Sequence, residues 1–80
     1  MKEKLYTSAL LAINNAIATS STALEKTKAL NYEYGLGAFH QCASLLQDID
    51  LDLFVKLMEE TNDIRETMMK EIDCIIYHKR

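Results

Sequence analysis

The chain has 80 residues, two cysteines, two glycines, no proline and a formal net charge of -3. A length of this order allows one domain, here residues 1–80, that buries only about 60% of its unfolded surface. Two cysteines 32 residues apart do not make a disulfide scaffold, and the acidic balance lacks the basic footprint of a nucleic-acid-binding protein. With so few backbone breakers, long helices are expected. So small a core then needs well-packed helices, a second copy or a partner to stabilise it.

The N-terminal stretch "MKEKLYTSALLAINNAIATSS" has the outline of a secretory signal: a charged start, an apolar run, and Ala16 and Ala18 flanking a cleavage-like position. Tyr6, Thr7 and Ser8 interrupt the run early, and Asn14 and Asn15 sit in its middle. The run is also too short and too polar to span a bilayer. The expectation is a cytoplasmic chain with reduced thiols and no membrane segment.

The first helix is expected over about 3–18. Tyr6, Leu10, Ile13 and Ile17 are spaced 4, 3 and 4 apart, a helical stripe, and Ala9, Ala12 and Ala16 beside it would let a neighbouring helix approach closely. At residues 19–22, "TSST", hydroxyl side chains compete for backbone hydrogen bonds. Thr22 followed by Glu25 fits a capping box, so a new helix is expected to start at 22; one helix running unbroken to about residue 31 is the alternative.

That second helix is expected over 22–49. Tyr32, Leu36, Phe39, Ala43 and Leu46 fall on one side of it, and Thr27, Leu30, Tyr34, Ala38, Leu45 and Ile49 fall roughly opposite. Lys26, Glu33, His40, Ser44 and Gln47 form a polar stripe between them. A helix with two apolar faces is a buried one. Gly35 and Gly37 are therefore read as mid-helix, where each costs about 1 kcal/mol relative to alanine, and close approach of another backbone is the physical offset. The alternative is a left-handed cap at Gly35 and a restart near Gly37.

The third helix is expected over 51–78, about 40 Å long from Leu51 to Tyr77. Asp50 or Asp52 would cap its start, and His78, Lys79 and Arg80 would sit at its negative end. Leu51, Phe54, Met58, Thr61, Met68, Ile72 and Ile75 share a face with Leu57 and Ile64 beside them; Arg65 is the misfit, its stem covering apolar surface and its head reaching water. The opposite face carries Asp52, Lys56, Glu59, Asp63, Glu66, Lys70 and Asp73.

No chemistry assembles from these elements. His40 and Cys42, two apart on a helix, point to different sides, leaving an exposed histidine and a buried cysteine. Glu33 with His40, and Glu71 with His78, are seven apart, too far for one metal ion. Neither a metal nor a cofactor is expected, and the chain is read as no enzyme.

The fold expected is all-α: a small three-helix bundle completed by homodimerisation, because 16 residues of helix one cover only part of an apolar face of helix two. The function expected is a non-catalytic protein–protein interaction module, a small inhibitor, adaptor or regulator. Accessory proteins of phages and mobile elements are often of this kind, an association with no residue behind it. The partner-binding residues named are Tyr32, Leu36, Phe39 and Leu46 as apolar anchors, with Glu59, Asp63 and Glu66 as an acidic rim. The alternative is a Rop-like helical dimer regulating through RNA or DNA binding, which the scattered lysines do not favour.

Overall fold

The computed structural model describes residues 1–20 and 24–77. It consists of three helices, α1 (Lys2–Ser20), α2 (Glu25–Ile49) and α3 (Leu51–Tyr77), with no strand among the described residues. The all-α three-helix bundle is thus the fold. Its longest dimension is 43 Å, about the length of α3 alone, so the helices lie side by side.

Both turns reverse the chain direction. The start of α1 meets the end of α2 through Lys2 and Asp50, and the start of α2 meets the end of α3 through Lys28 and Glu71. The chain therefore breaks before α2, as expected, and the unbroken helix is excluded. The start falls at Glu25 rather than 22. Leu24 holds the cap position with extended backbone (φ -64°, ψ 157°) and no side-chain cap. The expected capping box depends on Thr22, which lies outside the described residues, as do His78, Lys79 and Arg80.

Asp50 is the single residue between α2 and α3. Its N–H donates to the Leu46 carbonyl at 2.8 Å and closes α2. Its Oδ1 accepts the Leu53 N–H at 3.1 Å and caps α3. Its Oδ2 accepts Lys2 Nζ at 3.0 Å and ties down α1. The Lys2 ammonium and then the Leu53 N–H hold this carboxyl below the usual carboxylate range.

Helix α2 is central. It packs on both neighbours, whereas α1 and α3 meet far less. The core is Ala9, Ile13 and Ala16 of α1, Tyr32, Leu36, Phe39, Ala43 and Leu46 of α2, and Leu57, Met68 and Ile72 of α3. On the expected α3 stripe, Leu51 departs from the pattern and is exposed. Arg65 also differs from expectation. Its guanidinium turns inward, donating to Thr61 Oγ1 at 3.0 Å and to the Met58 carbonyl at 2.9 Å, and lies 5.4 Å from the centre of the Phe39 ring. It gives the buried Thr61 hydroxyl a donor while Thr61 itself donates to the Leu57 carbonyl.

Gly35 and Gly37 are both inside α2, with no positive φ in either. At Gly35, α1 comes close. A Cβ added there would lie 2.6 Å from Ala16 Cβ and 3.0 Å from the Ala12 carbonyl oxygen. Small residues on both helices permit this approach. The other backbone belongs to the same chain, so the glycine reports on the bundle and not on a dimer. Gly37 faces open space.

Candidate interaction surface

The two apolar faces of α2 meet different fates. Tyr32, Leu36, Phe39, Ala43 and Leu46 are all buried, Phe39 and Leu46 completely. The other face is open: Leu30 is 55% exposed, Tyr34 79%, Leu45 56% and Ile49 52%. Thr27, Ala38 and Gln41 on this side are exposed too. Both α1 and α3 thus settle on one face of α2 rather than one on each.

This corrects the expected anchors. Tyr32, Leu36, Phe39 and Leu46 were named as surface side chains that helix one cannot cover, yet α1 and α3 cover them jointly, and a buried side chain cannot anchor an outside partner without unfolding the bundle. The face that remains exposed is Leu30, Tyr34, Ala38, Leu45 and Ile49. An apolar face running the length of a helix is the kind of surface soluble proteins keep for binding.

The expected rim residues Glu59, Asp63 and Glu66 are exposed on α3. They lie on the side of α3 away from its buried residues Leu57, Thr61, Met68 and Ile72. The open face of α2 likewise points away from the core. The acids and the apolar face thus lie on the outer sides of two different helices.

Beside the open face runs a shallow groove of about 250 Å³ between α1 and α2, lined by Ala12, Ala16, Gly35 and Ala38 with Asn15 and Tyr34. A second, of about 420 Å³, lies between α2 and α3, where Glu33, His40 and Asp73 edge Leu36, Met69 and Ile72. Among the described residues, no group of three or more His, Cys, Asp or Glu is placed to hold a metal ion. Among the described residues, too, no helix is long and apolar enough to cross a membrane. Cys42 is half-buried and Cys74 exposed, and both are free thiols.

Two ion pairs hold titrating groups with shifted affinity for protons. In the first, hydrogen bonding to Asp50 raises the Lys2 ammonium. In the second, Lys28 Nζ donates to Glu71 Oε1 at 2.7 Å and lies 5.7 Å from the centre of the Tyr32 ring. The hydrogen bond raises Lys28 and lowers Glu71. Burial, then the Glu71 charge, push the Tyr32 phenol up. Both pairs tie helix ends together. Sequence reasoning missed this second cluster because Lys28 and Glu71 are 43 residues apart and no local spacing links them.

No protein family, curated protein or solved structure matches the chain.

Proposed function

We propose that this chain is a non-catalytic protein–protein interaction module, a small inhibitor, adaptor or regulator, whose binding element is the outer face of α2. The observation that carries this reading is the open apolar face of Leu30, Tyr34, Leu45 and Ile49 on a helix whose other face is fully used by the core. Tyrosine at such a position is a favoured anchor, since it offers a large apolar ring and a polar tip at low entropic cost. A cytoplasmic setting, in which Cys42 and Cys74 stay reduced, belongs to the same proposal, as does an accessory role in a phage or mobile element.

The test is capture of binding proteins from the native host on immobilised chain, comparing wild type with Tyr34→Asp. The substituted side chain is exposed, so the helical circular dichroism should persist while capture is lost. Capture of RNA or DNA in place of protein, or protein capture indifferent to Tyr34→Asp, overturns the proposal.

A further inference from the structure

The open face of α2 has an internal symmetry. Between Leu30 and Ile49, leaving Thr27 one turn outside, its stripe is Leu30, Tyr34, Ala38, Gln41, Leu45 and Ile49, and the steps between them are 4, 4, 3, 4 and 4. The series of steps reads the same from either end. The side chains are matched as well: a branched aliphatic residue ends the stripe on both sides, a large apolar residue follows, and the middle pair is Ala38 and Gln41. We infer that the occupant of this face is a second copy of the chain, packed antiparallel about a two-fold axis between Ala38 and Gln41. The inference rests on the outer face of α2 being the binding element, and it names the partner.

A two-fold axis places each residue of the stripe against its mirror position on the partner. Leu30 meets Ile49 of the other copy, Tyr34 meets Leu45, and Ala38 meets Gln41. Large side chains then face large ones away from the axis. The small Ala38, beside the exposed Gly37, lets the backbones come near at the crossing. A parallel pairing would stack Tyr34 on Tyr34 and Ala38 on Ala38 and would gain nothing from the symmetry.

Charge permits the pairing. The stripe contains no ionisable side chain apart from the Tyr34 phenol, so a two-fold does not bring like charges together even though the chain is acidic overall. With four large side chains half to four-fifths exposed and their small neighbours, the face offers at most roughly 600 Å² per copy, so a pair buries up to about 1,200 Å², the lower end of specific interfaces. The two acidic α3 faces would remain on the outside of the assembly.

Light scattering after gel filtration should give twice the chain mass of 9.1 kDa at micromolar concentration. Tyr34→Asp and Leu45→Asp should each convert it to a folded monomer with unchanged helical circular dichroism, since both side chains are exposed in the single chain. The register is read by cysteine pairing in a Cys42→Ala, Cys74→Ala background. Tyr34→Cys mixed with Leu45→Cys should form the mixed disulfide, whereas either variant alone should not, because identical positions are about 16 Å apart in this register. A dimer insensitive to both aspartates, or one in which Tyr34→Cys alone crosslinks, overturns the inference. So does a folded 9.1 kDa monomer. If that monomer loses capture of host proteins on Tyr34→Asp, the interaction module stands and only the second copy is wrong. If capture is unchanged as well, both fail.

Discussion

The inner and outer faces of α2 are nearly indistinguishable by composition. The inner one has Tyr32, Leu36, Phe39, Ala43 and Leu46; the outer one has Leu30, Tyr34, Ala38, Leu45 and Ile49. The inner residues are at most 8% exposed and the outer large ones at least 52%. Apolar content therefore does not decide which face becomes core. Gly35 does much of the deciding. It lies at the margin of the inner face, and with Ala12 and Ala16 it lets α1 dock there at a separation that no larger residue would allow. The Asp50 turn brings α3 to the same side. The outer face is left with an aromatic residue and three branched aliphatics that no other described part of the chain covers.

The comparison breaks most sharply at two ring residues five positions apart. Phe39→Ala removes a fully buried ring that also carries the Arg65 guanidinium. It should cost about 3–5 kcal/mol, a large part of the roughly 4–12 kcal/mol that stabilises a chain this size. Tyr34→Ala should leave the stability of the single chain within about 0.5 kcal/mol. Urea melts of the two variants, with the Tyr34 variant measured as a monomer, decide it. Equal losses would mean the faces are not distinguished as described. Any effect of Phe39→Ala on partner binding should follow from unfolding, not from a lost contact.

The two glycines make a second, smaller contrast. Gly35→Ala forces Ala16 and the Ala12 carbonyl apart and should destabilise by about 1–3 kcal/mol. Gly37→Ala meets nothing within 4 Å and should stabilise by up to about 1 kcal/mol. Ala16→Gly added to Gly35→Ala should recover part of the loss, though alone it weakens α1, and this coupling in a double-mutant cycle assigns the clash to the α1–α2 crossing. Additive effects would contradict it.

Much of this was legible in the sequence. Three helices, the turn at Asp50 and both glycines mid-helix follow from periodicity and from the scarcity of breakers, which are local properties. The two-faced character of α2 was equally legible. Which face the flanking helices would choose was not, because that depends on the direction in which each turn sends the chain. The cap residue Leu24 offers no side-chain hydrogen bond to fix it. The inward turn of Arg65 was hidden for a related reason: its hydrogen bonds are local, to Thr61 and Met58, but its reason for turning is the Phe39 ring on another helix.

The helix-end clamps tie the arrangement to pH. Asp50 and Glu71 bind protons more weakly in the folded chain, so their stabilisation is complete above the ordinary carboxylate range and is lost as pH falls through their lowered values. Lys2 and Lys28 hold protons more tightly when folded. Their share is complete below the ordinary lysine value and is lost as pH rises through their raised ones. The melting temperature should be flat near neutrality and fall at both extremes. In Glu71→Gln the acid limb should become shallower; an unchanged acid limb would show that this pair does not hold the open end of the bundle.

The smallest effect is expected on the far side of α3. Reversing Glu59, Asp63 and Glu66 to lysine removes the acids that sequence spacing offered as a rim for the binding face. All three are exposed, so each should change stability by no more than about 0.5 kcal/mol. Rim charges act mainly on the rate of approach and its salt dependence. Because these acids stand on a different helix from the outer face of α2, the triple reversal should leave assembly through Tyr34 and Leu45 unchanged at physiological salt, where the screening length is about 8 Å. Stopped-flow association at low and high salt measures this. A slower, more salt-sensitive association in the triple variant would mean that a partner bridges both surfaces, and that a second protein, larger than this chain's own α2, sits across α2 and α3 together.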